Sequence, residues 1–350
     1  MPKQQYNRPI GLIKTAQVKK FIEMLQMIEA DIYLIIEKVG LPDKVLNTHH
    51  PYIPEIPVRL LLSEIVEACG LVSYQKICWL ACRQLFIPAM LEKISEAKNL
   101  QQLLEEFIEI IKNESTQVEL SIEKNVDKTW LVRRKKWSDE PWYLYAELFS
   151  TAYLIELIRA LTDKNWLPEE LAIQSSDVGA FTQLILCDNP NIRLIKVYRD
   201  RGGCAISIPQ DLFNAPFKHH YGWIKPTREK DAPTDFVGSL IVALPPYLNE
   251  GKLAITKAAS IIGMSVRTFQ RRLDELGTNY TSVLEEVQLQ EAKYYLQHSD
   301  ITITTIGVQL GYSDLSHFSR AFKRLSGETP SHYRLTNQCK ERTSKIKLMS

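Results

Sequence analysis

The spacing of apolar residues repeats one pattern twice near the carboxyl end of the chain. In the first copy, Ile255, Ala259 and Ile262 recur at intervals of four and three residues, which predicts that they share one face of a helix. Gly263 follows, and glycine commonly ends a helix because it adopts positive φ without strain. Ser265 comes next, and we expect its side-chain oxygen to cap a second helix.

The second copy of the pattern occupies residues 301–327 and repeats the same order of signals. Gly311 separates its two predicted helices, and Ser313 is the expected cap of the second. Each copy therefore predicts two short helices joined by a glycine-containing turn, the arrangement of a helix-turn-helix. The buried stripe of the first copy's second helix is Val266, Phe269 and Leu273; the stripes of the second copy are Ile303, Ile306 and Leu310, then Phe318, Phe322 and Leu325.

One longer helix is predicted between the two copies, over residues 281–298. A helix of about 18 residues is about 27 Å long, because each residue adds about 1.5 Å. In a helix-turn-helix, the second helix lies in the major groove of DNA. A rigid connection of this length is suited to holding two such helices about one DNA turn, roughly 34 Å, apart.

Helix geometry separates the inward side chains of the first copy's second helix from the outward ones. Since Phe269 and Leu273 face inward, Arg267, Gln270 and Arg271 face outward. Arginine pairs with guanine and glutamine with adenine through two hydrogen bonds each. We therefore predict that these three side chains read base edges.

The outward side chains of the corresponding helix in the second copy are mostly leucine and serine, which discriminate between bases less strongly than arginine and glutamine do. A leucine there can contact a thymine methyl group, and serines are adaptable hydrogen-bonding partners. We expect the first copy to specify the sequence and the second partly to position the protein. The alternative to a DNA contact is that each basic side chain only faces solvent on the surface of its helix. The outward residues predicted to read bases are Leu315, Ser316, Ser319 and Arg320, and those predicted to contact phosphates are Arg272, Lys323, Arg324 and Arg334.

The run "IGVQLGYSDLSHFSRAFKRLSGETPSHYR" resembles the signature of the AraC family of bacterial transcription regulators. In that family, two helix-turn-helix units joined by a long helix form one C-terminal DNA-binding domain. The resemblance covers residues 235–335, and it implies that base contacts come from the positions of Arg267, Gln270 and Arg271.

Two residues depart from the family pattern. Gln288 stands where the family typically carries arginine, which puts in doubt any ion pair or phosphate contact made there. Gly307 replaces the usual alanine, and glycine costs about 1 kcal/mol relative to alanine inside a helix. The second helix-turn-helix is therefore predicted to be the less stable one.

The N-terminal part mixes helical and strand spacing. "STQVELSIEK" and "DKTWLVRRKK" alternate polar and apolar residues across a short turn, which predicts a hairpin. Two phrases, "LIRALTDKNWLPEELAI" and "CAISIPQDLFNAPF", are similar to the arabinose-binding-like N-terminal domain of one AraC subgroup. That resemblance implies a sensor or dimerisation domain. Helical spacing occupies 14–39, 57–69, 73–86, 99–111 and 142–161, and three short strand-like runs follow residue 168.

These patterns predict an α+β N-terminal sensor or dimerisation domain and an all-α C-terminal domain with two helix-turn-helix units joined by a linker helix. A polar, proline-containing stretch separates the two domains and is expected to be a linker. The predicted boundaries are 1–218 for the N-terminal domain, 219–234 for the linker, 235–335 for the DNA-binding domain and 336–350 for a polar tail.

Composition adds little to this picture. Hydrophobic residues make up 45% and charged residues 24% of the 350 residues, as in a soluble globular protein. There is no apolar run of about 18 residues and no signal-peptide core, so we expect a cytoplasmic protein without a membrane segment. The net charge of +2 is uninformative. The six cysteines are scattered, which favours free thiols over a disulfide scaffold.

No enzyme motif accompanies these features. The chain lacks the P-loop, the H-E-x-x-H and the G-x-S-x-G patterns. Cys78 and Cys82 lie in an apolar segment and are expected to be buried structural thiols. Neighbouring side chains point in different directions, so the pairs His49–His50 and His219–His220 are not expected to share a metal. We therefore predict no catalytic residues, no metal and no cofactor.

The leading hypothesis is a transcription regulator that binds double-stranded promoter or operator DNA as a homodimer. A small-molecule effector bound to the N-terminal domain would control it. The alternative is a ligand-independent regulator whose N-terminal domain is a protein-interaction or dimerisation module, with RNA polymerase as one possible partner. Activation and repression are both compatible with the sequence.

Overall fold

The structure is a computed structural model, and it describes residues 6–28, 30–94, 97–125, 128–135, 140–189, 195–214, 231–250 and 253–337. The chain forms two compact units. The N-terminal unit comprises Gly11–Asp43 and Glu55–Ala232, and the C-terminal unit comprises Met1–Ile10, Lys44–Pro54 and Pro233–Ser350. The predicted N-terminal domain, 1–218, includes two segments, Met1–Ile10 and Lys44–Pro54, that belong to the C-terminal unit. Most of the predicted linker and nearly all of the polar tail lie outside the described residues.

The N-terminal unit combines helices with one mixed sheet. A single turn of π-helix, Cys82–Phe86, follows the fourth helix. The seventh helix is buried almost all round, as expected for a helix at the centre of a core. The helices are α1 Thr15–Gln26, α2 Ile32–Val39, α3 Glu55–Cys69, α4 Leu71–Ala81, α5 Ile87–Leu91, α6 Leu100–Glu114, α7 Tyr143–Arg159, α8 Val178–Asp188 and α9 Gln210–Asn214.

The sheet has five strands in the order β3-β4-β7-β5-β6. Only β5 and β6 run parallel; the other neighbours are antiparallel. The predicted hairpin is confirmed, and it pairs Val118 with Lys135 and Leu120 with Arg133. The strands of the chain are β1 Leu12–Lys14, β2 Tyr52–Pro54, β3 Val118–Lys124, β4 Lys128–Lys135, β5 Glu170–Ala172, β6 Lys196–Tyr198 and β7 Cys204–Pro209.

Residues 236–337 are mainly helical. Two consecutive prolines, Pro245 and Pro246, follow the first of these helices and begin a short 3-10 helix, Pro245–Glu250, because proline cannot continue an α-helix. Residues 330–337 form a last helical segment. No helix in the described ranges has the length and apolar character needed to cross a bilayer. The named helices are α10 Phe236–Ala243, α11 Ile255–Ile261, α12 Val266–Glu275, α13 Tyr280–His298, α14 Ile303–Gln309 and α15 Leu315–Ser326.

The turns inside the two helix pairs, α11–α12 and α14–α15, use glycine as predicted. Gly263 has φ 69° and Gly311 has φ 84°. Ser265 caps α12 by accepting a hydrogen bond from the backbone N–H of Thr268 at 3.2 Å, which confirms the predicted cap.

The predicted cap of α15 was wrong. The helix begins at Leu315, so Asp314 occupies the capping position, and its Oδ1 accepts the backbone N–H of His317 at 2.7 Å. Ser313 lies one residue too early and donates its hydroxyl to Asp314 Oδ2 at 3.2 Å.

Gly307 lies where α14 meets α15. A Cβ atom at this position would be 3.1 Å from Phe318 Cβ and 3.2 Å from Phe318 Cγ. Phe318 is 1% exposed and packs against Tyr312 and Phe322, with ring centroids 5.3 Å and 6.0 Å away. Phe318 therefore has little room to move, and glycine permits the close approach of the two helices.

We predict that Gly307→Ala destabilises the protein by about 1 kcal/mol. Overpacking a core typically costs about 1–3 kcal/mol, which outweighs the helix-propensity gain of about 1 kcal/mol. Urea unfolding followed by circular dichroism measures the effect. The matched control is Thr304→Ala, an exposed position in the same helix, where we expect a small gain. If both variants stabilise equally, the contact with Phe318 does not limit the packing.

Candidate nucleic-acid interface and ligand cavity

Helix α12 presents one polar face. Phe269 and Leu273 are completely buried, whereas Arg267, Gln270 and Arg271 are exposed. These three residues lie at positions i, i+3 and i+4 of the helix, so their side chains are neighbours. The structure thus places the three predicted base-reading residues of the first helix pair together on the solvent side.

Helix α15 presents a smaller polar face. Leu315 is 41% exposed, Ser316 and Arg320 are exposed, and Ser319 is half-buried. His317 packs edge-on against the Tyr312 ring, with centroids 5.4 Å apart. The predicted readers of this helix are therefore accessible to different degrees.

Arg272, one of the predicted phosphate contacts, forms bonds inside the C-terminal unit. Its Nε donates to the backbone carbonyl of Tyr6 at 2.6 Å, and its Nη2 donates to that of Arg8. The guanidinium lies over the Phe236 ring, 3.7 Å from the centroid. Burial lowers the pKa of Arg272 to about 10. The donors of this side chain thus hold the N-terminal segment to α12.

The other predicted phosphate contacts divide into two groups. Lys323 is exposed, and Arg324 is an exposed partner of Glu285, with Nη2 and Oε1 2.6 Å apart. Arg334 is half-buried and donates from Nη2 to the carbonyl of Ile301 at 2.7 Å. Arg334 therefore joins the last helical segment to the residues before α14.

Gln288 connects α13 to the turn of the second helix pair. Its side chain is buried, and Nε2 donates to the carbonyl of Leu310 at 2.7 Å. The hydroxyl of Tyr312 donates to its Oε1 at 3.3 Å. The residue that departs from the family's arginine is thus a packing residue with both ends of its amide satisfied.

A cavity of about 140 Å³ lies inside the N-terminal unit. Cavities of about 150 Å³ accommodate a benzene-sized molecule. Most of its wall is apolar, and the aromatic residues in it come from three α-helices and from the π-helical turn. They are Phe21, Phe86, Phe107, Phe149 and Tyr153, from α1, α6 and α7 and from the π-helical turn.

Three cationic side chains and two carboxylates face the same cavity. Glu55 accepts from Arg59 Nη2 at 2.8 Å and from Lys135 Nζ. The Glu55 and Lys135 side chains are only 3% and 7% exposed. Burial, with Arg133 and Arg59 close by, lowers the pKa of Lys135 to about 8. Burial alone would raise the pKa of Glu55, but the charges of Lys135 and Arg59 lower it.

Arg133 lies near the Tyr143 hydroxyl and the Glu147 carboxylate, but one of its nitrogens is left over. It is 6% exposed, and its Nη1 has no hydrogen-bond partner among the described residues. Glu114, which also lines the cavity, is already paired with Gln17 Nε2 at 2.6 Å and with Lys93 Nζ. The cavity wall therefore carries a surplus of positive charge.

Sequence reasoning did not identify these residues, although it predicted their hairpin. Arg133 and Lys135 are two residues apart in β4, so they lie on the same face of the sheet as the buried Leu131. Basic residues that share the face of a buried leucine are unusual, and this signal is visible in the sequence.

The profile of a helix-turn-helix domain family matches residues 258–336. The match contains the exposed face of α12 and the whole second helix pair. The C-terminal region carries an AraC-type helix-turn-helix domain.

Two curated proteins are similar to part of this chain. The chain is 38% identical over 80 residues to the ornithine utilization regulator of Pseudomonas aeruginosa, and 31% identical over 87 residues to the transcriptional activator NphR of a Rhodococcus species. The matches cover 23% and 25% of this chain and 24% and 26% of the relatives. The chain thus spans about a quarter of the length of these relatives.

A solved structure of similar length is the transcriptional regulator CdpR from Pseudomonas aeruginosa. It is 18% identical in sequence, with 91% of this chain and 98% of that chain covered, at a TM-score of 0.34.

We predict that Arg272→Gln destabilises the unit that contains the AraC-type domain by about 2 kcal/mol, since hydrogen bonds to charged groups contribute about 1.5–3 kcal/mol. Thermal unfolding of the full chain measures this loss. The matched control is Arg271→Gln on the exposed face, for which we expect unchanged stability. A variant at Arg272 that keeps its stability but loses DNA affinity would instead support a phosphate contact.

Proposed function

We propose that this chain is a sequence-specific DNA-binding transcription regulator. The AraC-type domain supports the proposal most directly, because its match includes the exposed Arg267, Gln270 and Arg271 on α12. In this proposal, α11–α12 and α14–α15 are two helix-turn-helix units, and α13 is the linker helix. With 19 residues, α13 is about 28 Å long, which suits two helices reading successive major grooves about 34 Å apart.

The two second helices have different roles in this proposal. Arg267, Gln270 and Arg271 read base edges, because arginine and glutamine form paired hydrogen bonds with guanine and adenine. On α15, Leu315 contacts a thymine methyl group, while Ser316, Ser319 and Arg320 are adaptable readers. Lys323 and Arg324 contact phosphates, which position the protein without specifying sequence.

We further propose that a small organic anion bound in the N-terminal cavity controls the regulator. The aromatic walls suit a compact apolar body, and the surplus of buried cations suits a carboxylate. A carboxylate beside Arg133 would supply a partner for Nη1 and offset the charge of Lys135. Such an effector changes regulation only if it binds two arrangements of the protein with different affinity.

A second candidate role of the N-terminal unit is protein interaction. Tyr33 and Leu34, adjacent residues of α2, are 82% and 62% exposed. Exposed apolar residues in a continuous patch commonly mark an interaction surface. A second copy of this chain and RNA polymerase are the partners expected from the sequence.

We predict that Arg271→Ala weakens binding to the specific DNA site by about 1–3 kcal/mol, the usual contribution of one base-reading arginine. Binding to random DNA should change much less. Footprinting on genomic fragments first identifies the site, and fluorescence anisotropy then compares the two DNAs at one salt concentration. The control is Glu275→Ala, an exposed residue at the end of the same helix. An equal loss on both DNAs would contradict the base-reading role.

We predict that aromatic carboxylates such as benzoate bind the full chain and raise its unfolding temperature, because a ligand of the folded state stabilises it. Neutral benzamide should bind more weakly. Arg133→Gln should weaken benzoate binding at least about tenfold, since a charge-assisted hydrogen bond contributes about 1.5–3 kcal/mol. Affinity should also fall as pH rises through about 8, because Lys135 then loses its proton.

Calorimetric titration tests this prediction with Arg134→Gln as the matched control. Arg134 is the next residue in β4, but its side chain is 42% exposed and bonds Ser121 at 3.0 Å. If benzamide binds as tightly as benzoate, the anion preference is wrong. If no carboxylate or neutral analogue binds, the protein-interaction role is favoured.

A further inference from the structure

Two histidines and one glutamate meet in the C-terminal unit. His49 and His50 belong to the segment Lys44–Pro54, and Glu291 belongs to α13. The Nε2 atoms of His49 and His50 lie 3.6 Å and 3.4 Å from Glu291 Oε1. One ligand atom from each of the three residues lies within 4.8 Å of the other two.

The adjacent histidines do not diverge, contrary to the expectation from sequence. Their ring centroids are 4.0 Å apart, with the rings tilted by 42°. The segment is irregular between a 3-10 helix, Val45–Asn47, and β2, so its side chains do not alternate as they would along a regular strand. Both rings therefore reach the same carboxylate.

The distances suit metal coordination better than direct hydrogen bonding. Hydrogen bonds between N–H and O are usually about 2.7–3.2 Å long, shorter than the 3.4 Å and 3.6 Å observed. Zinc bonds of about 2.0–2.1 Å in a tetrahedral site separate neighbouring ligand atoms by about 3.3–3.4 Å. The two distances from the carboxylate oxygen to the imidazole nitrogens are thus close to the spacing of neighbouring ligands in a zinc site, and one ligand atom from each of the three residues lies within 4.8 Å of the other two.

The Glu291 carboxylate is buried, so a nearby positive charge would stabilise it. The Glu291 side chain is 6% exposed, and those of His50 and His49 are 10% and 33% exposed. A buried carboxylate is costly unless it is paired or coordinates a metal.

Two tyrosines of α13 hold the ligands in place. The His49 ring stacks on Tyr294, with centroids 3.7 Å apart and planes 7° from parallel. The Tyr295 hydroxyl hydrogen-bonds Glu291. Partners of this kind fix the orientation of metal ligands.

We propose that His49, His50 and Glu291 bind one zinc ion, with a fourth position open to water. Two imidazoles and one carboxylate suit zinc, whereas magnesium and calcium prefer oxygen ligands. The ion would fasten the segment Lys44–Pro54 to the middle of α13. This proposal is independent of the effector cavity and of which DNA sequence is bound.

Cobalt titration of the metal-stripped, untagged full chain tests the site, because cobalt replaces zinc and reports its ligands by absorption. We expect one cobalt per chain with the visible bands of a four- or five-coordinate ion, without the near-ultraviolet thiolate band. Zinc should displace the cobalt. Absence of binding, or a thiolate band that shows cysteine ligands, would overturn the proposal.

Variants then locate the site. We expect His50→Gln, His49→Gln and Glu291→Gln each to weaken zinc binding by about 100-fold or more, since loss of an outer partner alone costs about 10–100-fold. The matched control is His332→Ala, which removes an exposed histidine that also lies beside a glutamate, Glu328, and should leave zinc affinity unchanged. Circular dichroism identifies any variant that fails to fold. The zinc affinities of the folded variants then show whether these residues are the ligands. Unchanged affinity in the folded variants would overturn the assignment.

Discussion

The burial of one phenylalanine in each second helix fixes what the C-terminal unit presents to its surroundings. Phe269 in α12 and Phe318 in α15 are 0% and 1% exposed. A helix turns about 100° per residue, so once one side chain is buried, the direction of every other side chain is set. Rotation of α12 by one residue would expose an aromatic ring and bury an arginine, and both changes cost free energy. The polar face is therefore determined by the core.

The N-terminal unit follows the same logic in a strand. Leu131 is fully buried in β4, and the alternation of side chains carries Arg133 and Lys135 to the same side. In this strand the buried leucine therefore brings two basic side chains into the interior, whereas in α12 the buried side chains direct the basic residues to the surface. Glu55 offsets part of that charge through Arg59 and Lys135. An interior that retains excess positive charge has a cost in stability, and buried charges of this kind frequently belong to binding sites.

Local features were predictable from the sequence. Gly263 and Ser265 were identified because helix ends depend on adjacent residues, and the hairpin was identified from alternation over a few positions. The capping residue of α15 was misplaced by one residue, since Ser313 and Asp314 are both suitable caps and only the first residue of the helix distinguishes them.

Features that depend on distant contacts were not predictable. Arg272 reaches a carbonyl 266 residues earlier in the chain, and no periodicity indicates such a partner. The same limitation applies to Glu291, whose two histidine neighbours lie in a segment that resembles a simple loop. Three-dimensional proximity of this kind follows from the packing of the whole unit, which local spacing does not encode.

Gln288 holds two helical elements together through a neutral side chain, so this attachment depends little on salt. Its amide joins α13 to the turn of the second helix pair through Leu310 and Tyr312. Contacts between basic side chains and phosphates weaken steeply as salt is added, and exposed ion pairs are screened in the same range. A buried amide carries no net charge and is nearly insensitive to ionic strength. The attachment of the second pair to α13 therefore does not depend on the salt concentrations that would weaken the proposed phosphate contacts, and the second pair keeps its arrangement whether or not the proposed DNA complex forms.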